Sequence, residues 1–86
     1  MQLINIGYGN LVSDDKILTV VSPEAAPIKR IVAEAKENNL LIDASCGRRT
    51  KSVIITVNDR VILSALSPKQ IQGRFLNNEE EGNENE

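Results

Sequence analysis

The sequence predicts an α+β fold, a small mixed β-sheet with one main helix and a short C-terminal helix. Three observations predict it. Short runs rich in valine, isoleucine and leucine alternate with turn residues, as strands do. One stretch alone, Ile28, Ile31, Val32 and Ala35, places apolar residues at the three-and-four spacing of a helical face. Two serine–proline pairs, Ser22-Pro23 and Ser67-Pro68, have the composition of helix starts.

Taken in order, Leu3 to Ile6 reads as a first strand, ended by Gly7-Tyr8-Gly9-Asn10. Leu11 to Ser13 continues the sheet, and Asp14-Asp15 signals a turn. Lys16 to Val21 is a strand of mostly apolar and β-branched residues. Ser22-Pro23-Glu24 then supplies a hydroxyl N-cap, a proline at the first helical position and an acid in the first turn. Pro27 is tolerated only near a helix's beginning, so it sits within the first two turns or marks the true start. Asn38-Asn39 ends the helix. Leu40 to Ala44 is a strand, and Ser52 to Val57 and Val61 to Leu66 form a hairpin around Asn58-Asp59. Ser67-Pro68-Lys69 opens the last helix, which fades by Gly73 or Phe75.

Eighty-six residues make one small domain. A chain of this length hides only about 60% of its unfolded surface, so a core of its own is marginal. Residues 1–76 are expected to form that domain and 77–86 a disordered acidic tail, since Asn77 to Glu86 holds five glutamates and no lysine or arginine. Ten basic residues then face seven acidic ones in the body (the chain's twelve less the tail's five), so the formal charge of −2 conceals a basic domain of +3. Both Ile17 to Val21 and Val61 to Leu66 are apolar on their two faces, and such strands need cover on both. The main helix covers one face. A second copy of the chain is the expected cover for the other, which makes the protein an obligate homo-oligomer.

Composition removes several function classes. The chain has no histidine and one cysteine, so neither an imidazole-based triad nor a histidine or cysteine metal site can be built. No carboxylate pair is spaced for acid–base work, and no cofactor is implied. Cys46 stands alone, without a disulfide partner. Neighbouring Arg48 would favour its thiolate, but a small half-buried residue at a strand end is the plainer reading. There is no signal-peptide pattern and no apolar run near the ~20 residues that span a bilayer, so a cytoplasmic location is expected, with no membrane and no small-molecule substrate. Gly7-Tyr8-Gly9 lacks the third glycine of a dinucleotide-binding turn and reads as a tight turn between strands.

What remains is Gly47-Arg48-Arg49-Thr50-Lys51, set between two strand-like runs. Paired guanidiniums hold phosphate oxygens bidentately and stay charged, and Thr50 and Lys51 add donors. Lys16, Lys29 and Arg30 extend the patch if the fold brings them near. The plain alternative is a solvated charged loop. Such contacts give affinity for a polyanion without choice of sequence. With one tyrosine, one phenylalanine and no tryptophan, the chain lacks the stacking platforms that single strands require.

Asn5-Ile6-Gly7-Tyr8-Gly9-Asn10, the run Val21 to Arg30, Leu41-Ile42-Asp43-Ala44 and Gly47-Arg48-Arg49-Thr50 together resemble the RemA family of bacterial regulators of extracellular-matrix (biofilm) genes. The likeness runs from about Leu3 to Phe75. The resemblance implies a DNA-binding transcriptional regulator, not an enzyme, related to LytTR domains in its DNA-binding region. It implies a homo-oligomeric, octamer-like ring that wraps double-stranded DNA around its outside. The family's DNA-binding arginine pair falls on Arg48 and Arg49. A third basic position falls on Lys16, which supplies charge without arginine's fork. Pro27 falls on a position tied to activity through helix placement or assembly. The competing expectation is a structural ring whose cations meet an acidic protein partner.

Overall fold

A four-stranded mixed sheet carries the molecule, with different elements laid on its two faces. The computed structural model describes residues 2–76; the acidic tail expected over 77–86 lies outside them. The elements are β1 (Leu3–Asn5), β2 (Leu11–Ser13), β3 (Ile17–Val21), α1 (Ala26–Glu37), β4 (Leu41–Asp43), β5 (Ser52–Thr56), β6 (Val61–Ser64) and α2 (Pro68–Leu76). Strand order is β3-β5-β6-β4. β5 pairs antiparallel with both β3 and β6, while β4 runs parallel to β6. β1 and β2 form a separate antiparallel hairpin.

Register lines up one row of side chains across all four strands: Val20 opposite Ile54, Ile54 opposite Ile62, Ile62 opposite Ile42. This row faces the β1–β2 hairpin and α2. Ile54, Ile62, Ile4, Ile6, Leu66 and Ile71 form the main core there. The neighbouring residues Val53 and Val61 point the other way and pack under α1 with Ala35. Alternation thus divides one sheet between two clusters.

The argument for a partner from two-sided apolar strands fails at its premise. The second sheet face is covered by this chain's own hairpin and α2, which the sequence pattern did not reveal as a layer. A three-residue strand such as β1 carries too little periodicity to say which face of a sheet it will cover.

The two serine–proline pairs have different outcomes. Ser67 and Gln70 make a reciprocal capping box: the Gln70 N–H donates to Ser67 Oγ at 3.1 Å, and the Ser67 N–H donates to Gln70 Oε1 at 2.8 Å. At the other pair Ser22 does not cap the helix, which begins at Ala26, with Ala25 as N-cap and Pro27 in its first turn, close to the start at Pro27 that the sequence left open. A helix begun at Pro23 would need an N–H that Pro27 lacks, and its ring would meet the Pro23 carbonyl. Ser22 instead accepts the Glu24 N–H at 3.4 Å in a turn. The C-terminus of α1 closes as a Schellman motif: Asn39 adopts φ +60°, and the N–H groups of Asn39 and Leu40 donate to the carbonyls of Lys36 and Ala35.

The β5–β6 connection is a three-residue loop, Val57 to Asp59, with the Thr56 N–H donating to the Arg60 carbonyl at 3.0 Å. Asp59 takes φ +65°, the bulge position of such loops. On the edge strand β3, the register slips between Ile17 and Thr19, leaving Leu18 unpaired and 67% exposed. A bulge of this kind interrupts the row of free backbone groups that an edge presents.

Two buried hydroxyls fasten the layers. Ser52 Oγ donates to the Leu66 carbonyl at 2.6 Å, and Ser64 Oγ donates to the Ile6 carbonyl at 2.8 Å while accepting the Leu66 N–H at 3.1 Å. Ser64→Ala strands a buried acceptor and a buried donor, a loss of about 1–3 kcal/mol. A fall in melting temperature of roughly 10 °C is expected by circular dichroism. A variant melting with the wild type would mean that the hydroxyl does not tie β6 to the hairpin.

Candidate nucleic-acid interface

At one end of the sheet the carboxyl ends of β3, β4 and β6 converge with the turn joining β1 to β2. The segment from Ala44 to Lys51 crosses the end of β6, held by Ala44 N–H to Leu63 O (2.9 Å) and Lys51 N–H to Ser64 O (2.8 Å). Its centre is a tight turn in which the Arg48 N–H donates to Ser45 O at 3.0 Å, with φ +59° at Cys46 and +77° at Gly47. Positive φ at both central positions is the type I′ signature, which suits glycine and strains cysteine.

A second turn of the same form stands beside it. The Asn10 N–H donates to Gly7 O at 3.1 Å, and Tyr8 and Gly9 take φ +56° and +84°. The Asn10 side chain clasps the two turns, its Nδ2 donating to Gly7 O (2.9 Å) and to Ala44 O (3.1 Å). Across the same junction the Arg48 guanidinium lies over the Tyr8 ring, its carbon 4.9 Å from the ring centroid.

Asp43 anchors the turn from the β4 side. Its Oδ1 accepts from Ser45 Oγ at 2.6 Å and from the Ser45 N–H at 3.0 Å. These bonds, the hydroxyl's first, hold the Asp43 carboxyl below its ordinary range. A depressed carboxylate stabilises the fold above its unfolded pKa, and that contribution fades only as pH falls below the usual aspartate range. The anchor is therefore fully in place at neutral pH.

Arg48, Arg49 and Lys51 are exposed and Thr50 is half-buried. Thr50 shares a cleft of about 210 Å³ with Lys29, Pro23 and Val32, so Lys29 joins the cluster. Arg49 lies 3.7 Å from Glu24, but both side chains are more than 70% exposed, and an ion pair so hydrated is weak and easily displaced. Lys16 stands elsewhere. Its carbonyl accepts the Val57 N–H beyond the far end of β5, about 20 Å along the strand from Lys51. It also closes a 3₁₀ turn that contains Asp14 and Asp15. Pro27 is exposed on the first turn of α1. Cys46 is exposed, not half-buried, because the turn lifts it off the strand end.

Sequence reading had missed Tyr8, Asn10, Asp43 and Glu24 as neighbours of the arginines. One signal was available for Tyr8: a bulky side chain sits between two glycines where the turn calls for positive φ.

Residues 3–75 match the RemA-like family, described as extracellular matrix regulatory protein A-like. The chain is 51% identical over 84 residues to a Brevibacillus brevis protein, covering 98% of each chain. It is 54% identical over 80 residues to one from Oceanobacillus iheyensis, covering 93% of each. A protein of Trichormus variabilis is 55% identical over 76 residues, 88% of this chain and 86% of its own. All three carry the name "Putative regulatory protein". This small α+β protein belongs to the RemA-like family.

Proposed function

We propose that this protein is a transcriptional regulator of extracellular-matrix genes that binds double-stranded DNA as a homo-oligomeric ring, located in the cytoplasm. The family and the names of its relatives support a regulatory role over a catalytic one. The observation that carries DNA binding is the Arg48–Lys51 segment: two exposed guanidiniums, a hydroxyl and an ammonium on a turn fixed from both sides. Such a segment meets phosphates without paying much to become ordered, and it reads no bases. Lys29 adds to the cluster, and Lys16 meets the backbone at a separate point.

One subunit has few cations, so repetition around a ring is what turns a weak footprint into useful affinity. The surface suits self-association. Around α1, apolar side chains such as Ile28, Ile31, Val32 and Ile55 are only half covered, and Leu18 and Val57 lie exposed beside the β3 edge. Pro27, at the entry to α1, sets the pose of that helix and so belongs to assembly.

Native mass measured with and without a random-sequence duplex tests the reading. A multimer that gains one duplex is expected, with log affinity falling against log salt at about −0.9 per phosphate contact. A monomer, or a multimer indifferent to DNA at low ionic strength, defeats it. In the second case the cations are left to an acidic protein partner.

A further inference from the structure

The chain's single tyrosine occupies a position that its own backbone disfavours. Tyr8 is the first central residue of a type I′ turn, at φ +56°, where asparagine, aspartate or glycine is at home. A bulky residue kept in that region is a departure that invites a functional account. Its ring is half-buried, and what lies against its face is Arg48, 4.9 Å from the centroid.

We infer that Tyr8 is a positioning residue for anion binding, a platform that holds the Arg48 guanidinium over its face and pre-aimed at a phosphate. This rests on the DNA-binding reading above. The physics is specific. A guanidinium stacked on an aromatic face keeps its edge N–H donors free, whereas one paired with a carboxylate spends them. Of the two neighbouring arginines, Arg49 faces Glu24 and Arg48 faces a neutral ring. Among the described residues Arg48 has no carboxylate partner, so it enters a phosphate contact without displacing one and with less rotamer freedom to lose. The clasp from Asn10 to Ala44 O fixes the spacing between ring and arginine, because it ties the Tyr8 turn to the Arg48 turn.

The ring's face is what matters, not its hydroxyl. Tyr8→Phe keeps the platform; Tyr8→Asn removes it while offering the turn a residue that accepts positive φ. Binding of labelled random duplex by the full chain, read by anisotropy, should be unchanged in Tyr8→Phe and several-fold weaker in Tyr8→Asn. The loss should persist in an Arg49→Ala background and vanish in an Arg48→Ala background. Melting curves certify that each variant is folded; should Tyr8→Asn fail to fold, Tyr8→Leu takes its place in the cycle. With no tryptophan present, tyrosine emission reports Tyr8 alone, and it should shift when duplex is added to the wild type but not to Arg48→Ala. Wild-type binding with an unaffected Tyr8→Asn, or a loss equal in both arginine backgrounds, overturns the platform. Failure of the wild type itself to bind duplex overturns the DNA reading instead.

Discussion

Replacing Arg48 and Arg49 together by alanine is expected to weaken duplex binding severely while leaving the fold and the proposed assembly intact. Both side chains project into solvent, and the hydrogen bond that closes their turn comes from the Arg48 backbone, which alanine retains. What is lost is two charge-assisted contacts per subunit. At about 1.5–3 kcal/mol each, their loss weakens binding by a hundredfold or more. The salt slope should shrink as well, by close to 1.8 for each subunit on the DNA. Gel shift at low salt and light scattering without DNA measure the two halves of the prediction. Lysine replacements separate charge from geometry: they should restore part of the affinity and most of the salt slope, because an ammonium is a point charge without a fork. Undiminished binding by the double alanine variant would remove the motif from the mechanism.

The exposed turn that carries the arginine pair was legible in the sequence because its composition is local: a glycine and four polar residues between two apolar runs. Helix α2 was legible for the same reason, since a capping box is written in four adjacent residues, Ser67 to Gln70. For α1 the sequence left two starts open: Ser22-Pro23 has the composition of a cap, but the N–H missing from Pro27, four residues further on, decides for the later one. Apart from the bulky residue set between two glycines at Tyr8, the surroundings of the site were not legible. Asn10 and Ala44 are joined across 34 positions, and Ser64 and Ile6 across 58. Nothing in the local pattern of Tyr8 announces Arg48. The two-layer cover of the sheet escaped in the same way: β1 and β2 are three residues each, and only their contacts with Ile54 and Ile62 make them part of the core.

That hidden layer carries the second large prediction. Ile54 lies at the centre of the row Val20–Ile54–Ile62–Ile42 and is fully buried between the sheet and the layer of β1, β2 and α2. Ile42, at the β4 end of the same row, is 45% exposed. Truncating Ile54 to alanine removes three carbons from a closed site, with a loss of about 4 kcal/mol when the cavity cannot collapse. For a domain of this size, stable by about 5–10 kcal/mol, that approaches global unfolding and lowers the melting temperature by roughly 20 °C. The same truncation at Ile42 leaves no cavity and should shift the melt only slightly. The contrast between the two variants isolates burial, since residue type, sheet face and substitution are all held constant. If the hairpin and α2 did not cover this face within one chain, Ile54 would be shielded only by a partner subunit. The cost of Ile54→Ala would then depend on protein concentration. Equal melting shifts at micromolar and tenfold higher concentration, with a large shift for Ile54→Ala alone, place the cover inside the chain. A shift that grows on dilution would return the missing layer to a second copy.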